Sequence, residues 1–189
     1  ICERVEYGSS EKSKKSGKVP VLRMGNIQRD ELDWSDLVFT DNEVEAEKLD
    51  LKAGDVLFNR TNSAEHVGKT AIYRGERPAI FAGYLIRLHY KADEVHPEYL
   101  NLYLNGSAAR SYGKKVMSRS VNQANINGTK LKQYPIRLPS LPKQRELADD
   151  LLQLRRTLDE IVEHYTTKLT DISDLRQSLL QKAFAGDLT

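Results

Sequence analysis

The chain has 189 residues, 39% hydrophobic and 30% charged, with a net charge of +2; this balance fits one or two soluble globular domains and excludes a disordered chain. No run approaches eighteen apolar residues, which excludes a membrane-spanning helix, and the single cysteine, Cys2, excludes an internal disulfide and a cysteine-based metal site. Position 1 is Ile and no signal-peptide pattern follows, so the sequence reads as a fragment or a processed piece with the cytoplasm as its default compartment.

Residues 1–18 read as irregular, with the polar, basic run from Gly8 to Lys18 as a mobile loop. Its lysines, among them Lys12, Lys14 and Lys15, either grip phosphates or merely keep the loop soluble. Val19 to Met24 predicts a short strand turned by Gly25-Asn26. Arg23, Asn26 and Gln28 are of the types that read base edges: Arg on guanine, Asn or Gln on adenine. An acidic segment follows, with Trp34 and Phe39 as anchors and a short helix from Glu43 to Leu49. A turn at 51–55 feeds a strand, Val56 to Arg60, and a polar loop, Thr61 to His66; Arg60 and Asn62 there are again of the types that read base edges. Gly68-Lys69-Thr70 imitates the tail of a phosphate-binding loop. The first glycine of such a loop falls at Ser63, and strand-like residues follow where a helix should open, so a nucleotide site is rejected. Lys69 stays a candidate for phosphate contact.

Residues 79–90 are β-rich and predict the central strands. Pro97 opens a helix, and a second runs from Ser107 to Val116; Tyr99 and Tyr103, at helical spacing, read as core. Met117 to Gly128 is rich in amides and hydroxyls, offering Arg119, Ser120, Asn122, Gln123 and Asn125 on a cationic background. Leu131 to Leu138 predicts a last strand, and Pro139 and Pro142 form a stiff joint.

From Leu141 to Phe184 the sequence predicts one long helix. Leu147, Leu151, Leu154, Leu158, Ile161, Tyr165, Ile172, Leu175 and Leu179 fall at alternating steps of four and three, with Lys168 in the one polar slot. Ala148, Val162 and Leu169 widen this seam. Pro142 suits the first turn and Gly186 the stop. A rod of roughly 60 Å does not bury its own stripe. It either packs along its own domain or takes a second helix, and the second reading is favoured because nothing else in the chain supplies a partner.

Charge is polarised along the chain. Residues 31–65 hold ten acids and three bases; residues 99–137 hold seven bases, Lys114 and Lys115 among them, and no acid. A basic face of this size attracts a polyanion, nucleic acid being the commonest. Signals for catalysis are poor. Asp50-Leu51-Lys52 has the spacing of a metal-dependent nuclease, with Asp36 or Asp55 as a second carboxylate, but Asp50 is better read as the cap of the turn before Gly54. His66, His89, His96 and His164 do not cluster at ligand spacing. No catalytic residue, metal or cofactor is expected.

Two motifs then carry a resemblance. The joint, Leu138-Pro139-Ser140-Leu141-Pro142-Lys143-Gln144-Arg145-Glu146-Leu147, and the ending Ser178-Leu179-Leu180-Gln181-Lys182-Ala183-Phe184-Ala185-Gly186-Asp187-Leu188-Thr189 resemble the specificity subunit of type I restriction-modification systems. Val19 to Ile27, Gly54 to Phe58 and Gly68 to Ala71 agree with it. Lys143 stands where the family usually has a glutamate, and the family's aromatic-led opening segment is absent.

The resemblance implies an α+β fold: a strand-rich target-recognition domain over 1–139 and a long spacer helix over 140–189, paired antiparallel with another such helix. It implies a non-catalytic subunit that reads one half of a bipartite site in double-stranded DNA, is bound by methyltransferase (modification) subunits and is joined through them by motor-nuclease (restriction) subunits. The second helix comes either from the missing half of a longer subunit or from a second copy. The family's reading residues vary with the target, so the candidate contacts rest on their chemistry alone. The competing expectation is a coiled-coil scaffold with only non-specific affinity for DNA.

Overall fold

The structure, a computed structural model, describes residues 2–121 and 123–186. Its elements run β1 (Cys2–Tyr7), β2 (Val19–Leu22), a 3-10 turn (Met24–Asn26), β3 (Ile27–Gln28), β4 (Glu31–Leu32), β5 (Val38–Thr40), α1 (Glu43–Leu49), β6 (Val56–Asn59), β7 (Thr61–Asn62), β8 (Thr70–Ile72), β9 (Ile80–Phe81), β10 (Leu85–Tyr90), α2 (Pro97–Asn105), α3 (Ser107–Val116), β11 (Ser118–Arg119), β12 (Ala124–Asn125), α4 (Gly128–Lys132) and α5 (Leu141–Ala185). The chain divides into two compact units, one ending at Glu146 and the other beginning at Leu147. The boundary expected at 139/140 falls earlier because the first turn of α5 belongs to the first unit.

The first unit is built on an antiparallel sheet ordered β1-β10-β6-β8. Side chains of a strand alternate between faces, and both faces of this sheet are covered. Leu57, Ala71 and Leu85 enter one core with Leu22, Ile80 and Phe81. Val56, Phe58, Ile72, Ile86 and Leu88 enter a second with Leu100, Leu104, Ile126 and Leu131. Burial on both faces is why β6 reads Val56-Leu57-Phe58 without alternation, and why β10 puts Leu85, Ile86 and Leu88 around the ion-paired Arg87. A mixed sheet, β5-β2-β9, closes the first core, with β2 parallel to β9.

Three expectations are corrected. Residues 2–7 form β1, an edge strand paired with β10 in the register Glu6↔Arg87 and Tyr7↔Ile86. Its charged sequence hides it because its polar groups face a partner remote in sequence: Arg87 donates to Glu6 Oε2 at 2.6 Å and to Asp55 Oδ2 at 2.9 Å, and its side chain is 8% exposed. Residues 131–138 form no strand. Asn127 caps α4, its Oδ1 accepting the Lys130 N–H at 2.9 Å. The irregular segment beyond is held by the Tyr103 hydroxyl on Pro135 O and the Tyr99 hydroxyl on Arg137 O. Ile136 and Leu138, within the stretch expected to be a strand, pack on the second core. Finally, Asp55 rather than Asp50 caps the turn at Gly54, accepting the Lys52 N–H at 2.9 Å, while Asp50 pairs with the Lys52 ammonium.

The second unit is the continuation of α5, a 45-residue helix without a break. From Leu151 onwards its seam is open: exposures run from 45% at Ile161 to 63% at Ile172, and Val162, Leu169 and Leu180 lie open beside it, whereas Leu147 is half-buried and Ala148, expected to widen the seam, is 1% exposed. A continuous apolar stripe of this kind marks an interaction surface.

Candidate nucleic-acid interface

The first unit carries an open cleft of about 690 Å³, with Tyr7, Lys12, Arg23, Arg60, Thr61 and Tyr84 along its walls. It forms where the end of β1 passes the bend between β9 and β10. That passage is too tight for side chains. Ser9 N–H donates to Phe81 O at 2.8 Å and Gly83 N–H to Ser9 O at 2.6 Å. A Cβ on Gly8 would lie 2.2 Å from the Phe81 carbonyl oxygen. The two glycines leave their neighbours Tyr7 and Tyr84 on the cleft walls, 44% and 49% exposed.

Arg60 leaves β6 into the same cleft. Its guanidinium lies 4.8 Å from the centroid of the Tyr7 ring, and Nη1 donates to Gly83 O at 3.3 Å. A cation held over an aromatic face keeps its charge while its rotamers are restricted. Arg23 enters from the end of β2 and pairs with Asp36 Oδ2 at 2.9 Å. With Lys12, three bases line the cleft against one acid, Glu11.

A second surface adjoins it through β7. The sheet β11-β12-β7 places Asn62 opposite Ala124 and Thr61 opposite Asn125. Asn125 Nδ2 donates to Thr61 Oγ1 at 2.6 Å, and Thr61 also lines the cleft. The β11–β12 hairpin is closed by Ser120, whose N–H and hydroxyl both reach Gln123 O, at 2.7 and 3.1 Å. Arg119, Ser120 and Gln123 are exposed on it.

The structure therefore gathers Lys12, Arg23 and Arg60 at the cleft, and Asn62, Arg119, Ser120, Gln123 and Asn125 on the adjoining sheet; Asn122 lies outside the described residues. Other candidates have different work. Asn26 is 2% exposed; its Oδ1 accepts the Arg23 N–H, and its Nδ2 donates to the carbonyls of Asp33 and Asp36. It is an internal cap with no free edge for a base. Gln28 Nε2 turns back onto Gly25 O, and Lys14 pairs with Asp41 at 2.8 Å. Lys15 is exposed, Lys69 half-buried, and Lys114 and Lys115 exposed in the last turn of α3; none of these four lines the cleft. Among the described residues no group of three or more His, Cys, Asp and Glu is placed to hold a metal ion, and no helix is long and apolar enough to cross a membrane.

The residues missed from sequence are Tyr7, Gly8, Gly83 and Tyr84. Their signal was two mirrored dipeptides, Tyr7-Gly8 and Gly83-Tyr84, whose meaning depends on two distant segments meeting. Beneath the cleft, burial opposes ionisation of Glu6, but hydrogen bonds from Arg87 and His89 outweigh it and hold the carboxyl below the usual range. Burial, with Tyr112 adding to it, pushes Tyr134 up to about 12. Its ring meets Phe58 and Tyr112 edge-on, as a core tyrosine does.

Residues 3–171 match the family described as the type I restriction modification DNA specificity domain. The chain belongs to that family. It is similar to the EcoKI specificity subunit of Escherichia coli (strain K12), 29% identical over all of this chain and 42% of the relative's length. It is likewise similar to the putative MjaX specificity subunit of Methanocaldococcus jannaschii, 28% identical over 97% of this chain and 43% of the relative. The chain thus spans less than half of the curated relatives it matches.

Two solved structures share the fold. One is a chain from work on complex assembly and conformational transition of the type I R-M system (TM-score 0.73, 21% identity, all of this chain and 44% of that one). The other is the HsdS subunit from Thermoanaerobacter tengcongensis (TM-score 0.58, 18% identity, 98% and 44%). The α+β fold, a strand-rich domain followed by a long helix, is the family's.

Proposed function

We propose that this chain is the part of a type I specificity subunit that reads one half of a bipartite site in double-stranded DNA, without catalysing a reaction itself. The observation that carries this reading is the family match over residues 3–171, which takes in both the strand-rich unit and most of α5. The cationic cleft beside a polar hairpin supplies what such a reader needs: charge to hold phosphates, and amides, hydroxyls and arginine to read base edges. The open seam of α5, from Leu151 to Leu179, takes a second long helix, from another copy or from the rest of a longer subunit. Methyltransferase subunits dock on the assembly, motor-nuclease subunits join through them, and the complex works in the cytoplasm.

Selection from a pool of randomised duplexes tests the reading. The full chain should enrich one short sequence, with log Kd rising linearly against log salt. Equal binding to every duplex would sink it and favour the scaffold with only non-specific affinity. Light scattering addresses the helix: a mass near twice 21.5 kDa indicates self-pairing, and 21.5 kDa a chain that needs another half.

A further inference from the structure

Val121 is 98% exposed, the most open large apolar side chain among the described residues. It stands at the tip of the β11–β12 hairpin, between Arg119-Ser120 and Gln123, in a stretch otherwise made of polar and basic residues. The hairpin beneath it is braced. Ser120 closes the tip on Gln123 O, Lys130 Nζ donates to Ser118 Oγ at 2.7 Å, and Asn125 ties β12 to Thr61 of β7. The apolar group is thus presented on a narrow, supported two-stranded ribbon.

Its surroundings choose the partner. Lys114, Lys115, Arg119, Lys130 and Lys132 are the charged residues from 114 to 132, and there is no acid among them. Protein interfaces are depleted in lysine, whereas a polyanion suits this field. The major groove of B-DNA is about 12 Å wide and admits a two-stranded ribbon; the apolar group displayed on its floor is the 5-methyl of thymine. The minor groove offers a side chain without polar atoms nothing except a gap between unstacked bases.

We infer that the β11–β12 hairpin enters the major groove and that Val121 packs on the 5-methyl group of a thymine in the target, making it a specificity-determining residue; this rests on the reading of the chain as a DNA-specificity module. Replacing thymine by deoxyuridine removes the methyl and leaves the pairing edge and O4 intact, so the contact can be deleted from either side. The test uses the full chain and the duplex it selects, with each thymine replaced in turn, against wild type and Val121→Ala. Because Val121 is open to solvent, that variant keeps the fold.

One position should cost wild type about fourfold in Kd, the worth of one buried methyl, and cost V121A less than twofold. Several results overturn the inference: a selected site without thymine, uridine penalties that are the same in wild type and variant, a V121A effect confined to binding of methyltransferase subunits, or one confined to DNA bending. If no sequence is enriched at all, the parent reading fails and takes this inference with it. If a sequence is enriched and the uridine profile ignores Val121, the inference alone fails.

Discussion

The Gln144 side-chain carbonyl accepts the backbone N–H of His96 at 2.8 Å, in a place where Gln144 is wholly buried. His96 is the N-cap residue of α2, and its own side chain makes no capping bond. The same amide donates through Nε2 to Glu94 O and Pro139 O, both at 2.8 Å. One side chain in the first turn of α5 thus satisfies a donor and two acceptors on two stretches of backbone, 94–96 and Pro139. Gln144→Leu keeps the volume and strands all three in an apolar setting, where an unsatisfied buried group costs about 1–3 kcal/mol. The expected loss is on the order of 3 kcal/mol, read as a lowered denaturant midpoint; an unchanged midpoint would mean that water replaces the amide.

The Glu6 carboxylate adds a pH dependence of definite sign. Burial disfavours its charge, yet bonds from Arg87 and His89 hold its folded pKa below the ordinary glutamate value. A group with a depressed folded pKa contributes stability that is present in full above the unfolded pKa and lost as pH falls through the folded one. Glu6→Gln should therefore lower stability at pH 7, by on the order of 2 kcal/mol for charge-assisted bonds. The gap between variant and wild type should close below about pH 4.5. A gap that stays constant from pH 7 to pH 3 would show that the carboxylate's charge contributes nothing to folding.

Which parts of the molecule were legible in the sequence follows from where each signal resides. The bounds of α1, α2, α3 and α5 are local: Asn42 caps α1, Pro97 opens α2, Gly106 separates α2 from α3, and apolar spacing runs through α5. β1 is not local, because Glu6 makes sense only beside Arg87, 81 residues away. The cleft is hidden for the same reason. Tyr7 and Tyr84 are unremarkable aromatics until two glycines let their segments cross. Asn26 illustrates the converse. Its residue type suggests a base reader, but an amide close behind a strand can equally turn inward and cap, and burial decides the matter.

Arg60 should dominate the electrostatics of the cleft, since stacking on Tyr7 restricts its guanidinium before any ligand arrives. Arg60→Ala should weaken DNA binding by about tenfold, the scale of one charge-assisted bond. If Arg60 neutralises a phosphate, the slope of log K against log salt should also fall by roughly 0.9. Arg60→Lys keeps the charge and loses the planar stack, so it should restore the slope and only part of the affinity. Tyr7→Phe keeps the ring face under Arg60, so the salt slope should stay as in wild type, but it removes the hydroxyl that accepts the Gly128 N–H at 3.0 Å and should cost stability. A slope unchanged in Arg60→Ala would place Arg60 away from the phosphates.

Lys168 occupies the one polar slot of the α5 seam, between Tyr165 and Ile172, with its ammonium 5.9 Å from the centroid of the Tyr165 ring. Pairing with a second helix would trap that charge among apolar side chains, at a cost in stability that can fix register. Lys168→Leu should therefore strengthen pairing, by about 1–2 kcal/mol for each leucine newly buried, and raise the melting temperature of the paired form. On an unpaired helix the same change exposes more apolar surface and adds no contact, so melting should not move and the chain should turn aggregation-prone. Measuring melting across a range of protein concentrations separates the two cases. A rise that grows with concentration places Lys168 in a seam between chains, and no rise at any concentration removes it from the seam.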